Sequence, residues 1–352
     1  RRILDLLGIE LPILQAPMAG ASGSAMAIAV ANAGGLGALP CAMLTGEQVR
    51  GEIAAFRNAC PGRPLNLNFF CHQPPAPDAE RDARWKQALK PYYNETGADF
   101  TAPTPVSNRA PFDEQSCQLI EQLRPEVVSF HFGLPKADLL QRVKASGAKV
   151  LSSATTVEEA VWLERNGCDA IIAMGYEAGG HRGMFLSDDI TSQIGTFALV
   201  PQVVDAVSVP VIAAGGIGDH RGLAAALALG ASAVQIGTAY LFCPEAKVSS
   251  AHRLALDSAP ASDTALTNLF TGRPARGINN RIMRELGPMS ALAPAFPLAG
   301  GALMPLRAIT EPQGNSDFSN LWSGQALRLG RPMPAEALTR EIAAKALARV
   351  AG

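Results

Sequence analysis

The sequence predicts an α/β fold, a (β/α)8 TIM barrel with an inserted, mainly helical second domain near its C-terminal end. Three observations carry that prediction. Eight short apolar runs alternate with helix-patterned segments along 352 residues. Most of the runs are apolar on both faces, as parallel strands covered by helices are. The chain exceeds the roughly 250 residues typical of a barrel, so about a hundred residues must be insertions. The runner-up is a doubly wound open sheet, which shares the βα alternation.

The expected strands are Ile13–Ala16, Gly37–Pro40, Leu65–Phe70, Val127–Phe132, Lys149–Ser153, Ala170–Met174, Val209–Ala214 and Ala233–Gly237. One unit shows the grammar. After "KVLSSA", Thr155 and Glu158 form a capping-box pattern. Val157, Ala160 and Val161 give an apolar helical face, and Gly167 stops the helix before "CDAIIAMG". The uncharged stretch Leu223–Phe242 reads as a helix, a stop at Gly230 and a strand, not as a membrane span. Two stretches look inserted: Cys71–Pro125, which is proline-rich, and Cys243–Arg331. The expected organisation is a barrel over residues 1–242, closed by a helix in 332–352, with a substrate-covering cap over 243–331.

Bulk composition narrows the function. Hydrophobic residues make up 48% and charged residues 17%, the balance of a folded enzyme. A net charge of -1 and 6% aromatic residues argue against nucleic acid or an anionic membrane as partner. The six cysteines show neither CxxC nor Cys/His ligand spacing. That predicts no metal site and reduced thiols in a cytoplasmic protein. The sequence opens without an apolar signal segment, which agrees with that compartment.

In a barrel, chemistry sits where strands end and βα loops begin. Those positions hold Gln15-Ala16-Pro17-Met18-Ala19-Gly20, Asn66 and Asn68, Phe130-His131-Phe132-Gly133, "GYEAGGHRG" (Gly175–Gly183), Ala213-Ala214-Gly215-Gly216-Ile217, and Gln235-Ile236-Gly237-Thr238. Glycine-rich ends on the seventh and eighth strands suit a phosphate, which needs bare backbone N–H groups at a helix start. "GGIGDHRG" misses the dinucleotide spacing, and Gln235 stands where a ribose-binding acid is expected. No nucleophile elbow or paired carboxylates appear. Few protein catalytic groups point to a cofactor that carries the reaction, and a single phosphate site suggests flavin mononucleotide, FMN.

The motifs "QAPMAG", "NLNFF", "FHFG", "GYEAGGHRG", "AAGGIGD", "AVQIGTAYLFCPE" and "GRPARGINNR" together resemble class I nitronate monooxygenases of the 2-nitropropane dioxygenase family. The resemblance covers nearly the whole chain in order. It implies an FMN barrel with a domain over its C-terminal mouth. It implies that Ala16, Pro17 and Met18 lie against the isoalloxazine ring and that Asn68 bonds its polar edge. Gly179, Gly180, Gly215, Gly216 and the run Gln235, Ile236, Gly237 and Thr238 would hold the phosphate and ribityl chain, and His181 would be the catalytic histidine. Met174 stands where the family usually has glutamine, so a side-chain bond to flavin is lost or replaced by backbone contact. Tyr176 is bulkier than expected there and would narrow the pocket.

The activity so implied is oxidation of alkyl nitronates, such as propionate 3-nitronate, with O2 to carbonyl compounds and nitrite. It proceeds by one-electron transfer to flavin, giving a semiquinone, with no nicotinamide. His181 would donate to the nitro oxygens or take the α-proton of a neutral nitroalkane. His131 is a second substrate-site candidate. Arg182 could meet a carboxylate or phosphate or be solvated; His72, His220 and His252 read as solvated or structural. Trp322 and Gln325 are candidates to close the pocket. The chain would act as a monomer or homodimer. An FMN-dependent enoyl-acyl-carrier-protein reductase or quinone reductase is the alternative, and a non-catalytic flavin-binding barrel the rival from another class.

Overall fold

Short apolar strands buried on both faces line up side by side in the computed structural model, which describes residues 2–351. The strands are β1 (Ile13–Gln15), β2 (Gly37–Pro40), β3 (Leu65–Phe70), β4 (Val127–His131), β5 (Lys149–Ala154), β6 (Ala170–Met174), β7 (Gly180–His181), β8 (Val211–Ala214), β9 (Ala233–Ile236), β10 (Thr264–Thr267) and β11 (Ala275–Ile278). Eight of them form one parallel sheet in the order β1-β9-β8-β6-β5-β4-β3-β2. This is the expected barrel, and the open sheet is set aside by how its two edges meet. Leu14 bridges Leu36 in parallel. Beyond that bridge the Gln15 side chain carries the seam one step further. Its Nε2 donates to the Ala38 carbonyl at 3.2 Å, and its Oε1 accepts from the Ala38 N–H at 3.0 Å.

The barrel interior is filled by Leu14, Leu36, Val127, Leu151, Ile172 and Ile212 among others. Ile3 and Leu7 of the first helix, Arg2–Leu7, join that cluster. A larger apolar layer lies between the strands and the surrounding helices, and the last helix, Ala335–Ala351, contributes Leu338, Ile342 and Ala346 to it. Among the described helices none is long and apolar enough to cross a membrane.

A third apolar cluster joins the two inserted stretches. Trp85, Leu89, Tyr92 and Tyr93 of helix Ala79–Thr96 pack on Leu269, Phe270, Met283, Leu306 and Phe318. Trp85 Nε1 donates to the Ala299 carbonyl at 2.9 Å, and Tyr93 Oη donates to that of Ala302 at 2.6 Å. Buried aromatics with polar tips gain most when the tip finds such a partner.

Two local expectations change. The helix after β5 begins one residue later than the capping box suggested. Thr156 is its N-cap, accepting from Glu159 N–H at 3.3 Å. The cause is that β5 extends to Ala154. Glu159 then turns inward and is 1% exposed. Its carboxylate accepts from the N–H and hydroxyl of Thr155 and the N–H groups of Phe185 and Leu186. The second change is β7. Two residues of the glycine-rich segment after β6, Gly180 and His181, are strand, paired antiparallel with β11 through Ala275↔His181 and Arg276↔Gly180.

Candidate active site

A cavity of about 420 Å3 opens at the C-terminal ends of the barrel strands, within the size range of small-molecule and cofactor sites. Most of the residues singled out in the sequence converge on it. Ala16, Pro17 and Met18 come from the end of β1, Asn68 from β3, His131 from β4 and Met174 from β6. Gly179, Gly180 and His181 come from the loop and β7, Gly215 and Gly216 from the end of β8, and Gln235, Gly237 and Thr238 from β9 and beyond. Ile236 is fully buried and does not line the cavity. Alternation explains it: Gln235 faces inward on the strand, so its neighbour faces the helices.

Tyr176 is a correction. The residue is 37% exposed and does not line the cavity. Arg276 stacks over the tyrosine ring at 4.7 Å and donates to the Tyr176 carbonyl from Nε and Nη2. Arg182 is another. It is fully buried, and its guanidinium donates to the carbonyls of Gly175 at 2.6 Å and Met174 at 2.9 Å and to Gln193 Oε1 at 2.8 Å. It fastens the loop from beneath, shielded from solvent and outside the cavity lining. The Met174 carbonyl thus already accepts one bond from Arg182. Gln325 is exposed and points away, whereas Trp322 lines the cavity. His72 and His252, expected as solvated or structural, are 4% and 8% exposed, and His252 lines the cavity.

Glycine is required at two of these positions for different reasons. A Cβ on Gly179 would lie 2.5 Å from the Gly324 nitrogen, so the loop touches the later chain backbone to backbone. Gly216 has φ +72°, a left-handed conformation that glycine adopts freely.

His181 is enclosed by rings. Centroids of Phe296, Trp322, Phe132 and Phe70 lie 5.3, 5.5, 6.0 and 6.2 Å away. Burial first, then the Arg109 guanidinium, hold its pKa well below the ordinary 6.5, so the ring is neutral at pH 7. Its Nε2 lies 2.9 Å from Thr271 Oγ1. Its carbonyl is 3.1 Å from His131 Nε2. A carbonyl only accepts, so His131 carries its proton on Nε2, and its Nδ1 accepts from Ser153 Oγ at 2.9 Å. Burial lowers the His131 pKa to about 4. Phe132, next in sequence, takes φ 69°. A non-glycine residue held there is strained and needs its surroundings to hold it.

Two polar groups in the cavity lack partners. Gln235 Oε1 is buried and accepts no hydrogen bond. The Arg109 guanidinium makes no hydrogen bond or ion pair with any described residue, and its Nε is buried. Burial and then the Arg307 charge lower the Arg109 pKa. Arg307 is partly satisfied by Glu311 at 2.9 Å. Asn68 donates its amide to Ser129 Oγ at 3.0 Å, which turns its oxygen to the open side. Such orphans are rare in native interiors and mark places where a ligand completes the bonding.

The sequence profile of the nitronate monooxygenase family matches residues 1–345. The chain belongs to the nitronate monooxygenase family. A nitronate monooxygenase of Pseudomonas aeruginosa is 43% identical over 347 residues, covering 97% of each chain. A crystal structure of nitroalkane oxidase from Streptomyces ansochromogenes matches with a TM-score of 0.90 at 38% identity, covering 100% of this chain and 99% of that one. FabK from Thermotoga maritima matches at 0.75 and 28% identity, over 99% and 97%. This nitronate monooxygenase family member is therefore an enzyme, an oxidoreductase of a flavin-dependent family.

Arg109 and Arg307, which line the cavity, and Thr271, which lies behind His181, carry no signal of their own in the sequence. Arg109 lies in a proline-rich stretch without periodicity. Thr271 opens "TGRPARG", far from His181 in sequence, and β7–β11 pairing brings it beside that ring.

Proposed function

We propose that the cavity binds FMN together with an alkyl nitronate that carries a second anionic group, of which propionate 3-nitronate is the type. The reading rests on one observation: a single cavity joins the orphaned amide oxygen of Gln235, the neutral imidazole of His181 and the unpaired guanidinium of Arg109.

The residues fit a flavin. Gln235 Oε1 and the free oxygen of Asn68 are acceptors for the N–H edge of a planar ring. Ala16, Pro17 and Met18 offer an apolar face. Gly215, Gly216, Gly237 and Thr238, with Gly179 and Gly180 of the adjoining loop, supply backbone N–H groups for a phosphate at the ends of β8 and β9. When bound, FMN supplies the electron acceptor that no protein side chain here provides.

The remaining work belongs to the chain. The inserted stretches 71–125 and 243–331, packed on one another, form the cap. Phe70, Phe132, Phe296 and Trp322 keep water from the reacting end. His181 orients the nitro group. Arg109 and Arg307 hold the far carboxylate, which supplies the anion that Arg109 lacks. Reaction with O2 then yields a carbonyl compound and nitrite. The likeness to FabK supports an enoyl-reductase reading, but two cationic side chains at the far end suit a short dianion better than an acyl chain.

Arg109→Gln tests this. A hydrogen bond to a charged group contributes ~1.5–3 kcal/mol, or roughly 10–100-fold in affinity. KM for propionate 3-nitronate should rise by that range while KM for ethyl nitronate stays near wild type. Equal effects on both substrates would remove Arg109 from the carboxylate site.

A further inference from the structure

His181 has one ring nitrogen with a protein partner and one without. Nε2 faces Thr271 Oγ1 at 2.9 Å, and Nδ1 has no partner among the described residues. Both groups in that contact can donate or accept, so the distance alone leaves the direction open. The surroundings decide it. Thr271 is 1% exposed. Its hydroxyl lies within hydrogen-bond reach of no other acceptor among the described residues. Were Nε2–H to donate, the Thr271 hydroxyl proton would be buried with nothing to accept it, a penalty native interiors avoid. With the hydroxyl donating to the Nε2 lone pair, both groups are satisfied.

We propose that the Thr271 hydroxyl donates to Nε2 and so holds His181 as the Nδ1–H tautomer, which presents substrate with a hydrogen-bond donor and not with a base. Thr271 is a positioning residue and acts through the ring. Its own place is fixed by the chain around it: Gly272 N–H donates to the Asn268 carbonyl at 2.8 Å, and Arg182 N–H donates to the Pro274 carbonyl at 2.9 Å. The His181 backbone is held independently by β11 and by His131 Nε2–H. The ring therefore has little freedom to exchange roles between its nitrogens.

This rests on the nitronate reading for its consequence and on hydrogen bonding alone for the tautomer. A nitronate has already lost its α-proton and needs a donor for its oxygens. A neutral nitroalkane needs a lone pair to take that proton, and the Nδ1–H tautomer has none on the free side. The enzyme should thus discriminate against neutral nitroalkanes by tautomer as well as by shape.

The test is nitrogen NMR of the flavin-loaded protein labelled with 15N-histidine, with the His181 signals identified by their loss in His181→Gln. The expected result is a protonated Nδ1 and a bare Nε2. A protonated Nε2 overturns the proposal. Thr271→Val keeps the shape and removes the hydroxyl. It should abolish the tautomer preference and lower nitronate kcat/KM roughly tenfold, the worth of one ordinary hydrogen bond. It should also raise the rate on nitroethane relative to ethyl nitronate. Thr271→Ser should restore the tautomer and both rates, and it serves alone if the valine variant does not fold. An unchanged tautomer in Thr271→Val counts against the proposal. If the tautomer is as expected and no nitronate is oxidised, the functional reading fails and the assignment of the ring stands.

Discussion

His181 is a neutral ring among four aromatic rings, with its backbone tied on one side and its Nε2 on the other. Its proposed role as a donor leads to a graded prediction. Asparagine can still donate to a nitro oxygen and alanine cannot. His181→Asn should keep part of the nitronate turnover, and His181→Ala should lose roughly 10–100-fold in kcat/KM, the range for a hydrogen bond to an anion. Bound flavin should be equal in both, because the glycine ends of β8 and β9 are untouched. Equal kinetics in the two variants would remove the donor role. Much of this site was legible in the sequence, since His181, Asn68, Gln235 and the glycines fall at strand ends, where a barrel puts its chemistry. Arg109, Thr271 and Glu159 were not legible. Their roles come from what lies opposite them in space, and nothing in their own neighbourhoods of sequence says that Arg109 is unpaired or that Glu159 is buried.

The elements carry two further predictions. Gln15 closes the barrel seam with both ends of its amide. Gln15→Leu leaves the Ala38 N–H and C=O without partners, at a cost of ~1–3 kcal/mol for each buried group left unsatisfied. Thermal unfolding should shift down by several degrees while the far side of the barrel keeps its amide-exchange protection. Protection lost evenly around the barrel would mean that the seam is not a local weak point. Gly179→Ala should weaken both stability and flavin binding, because its Cβ meets the Gly324 nitrogen. Normal flavin content and an unchanged Tm in that variant would show that the loop and residues 323–324 are free to part. The eight barrel strands were readable because double-sided burial leaves a continuous apolar run. β7 was not, because a two-residue strand has no period, and its partner Ala275–Arg276 comes from a distant insertion.

At the scale of the whole molecule, the buried histidines couple stability to pH. Burial lowers the pKa values of His72, His131 and His252 from 6.5 to about 4, and that of His181 well below 6.5. The unfolded chain binds protons on these rings near pH 6.5 and the folded chain does not. Their contribution is therefore full above about pH 6.5 and is lost as the pH falls toward 4. Tm should be level from pH 8 to 7 and decline steadily below 6.5; a level Tm down to pH 4 would contradict the buried neutral state. The overall barrel and its excess length were readable from the strand count. The joint core of the two insertions was not, because Trp85 and Phe318 share no local pattern that would announce their contact. The proposed function has the capped barrel oxidise a small nitronate with bound flavin and no nicotinamide. The most direct measurement is nitrite release from propionate 3-nitronate by the purified protein in air, with and without NADH or NADPH. Nitrite should form at the same rate in all three cases, with O2 consumed. No nitrite, together with flavin bleached by a nicotinamide and reoxidised by a quinone or an enoyl thioester, would contradict it.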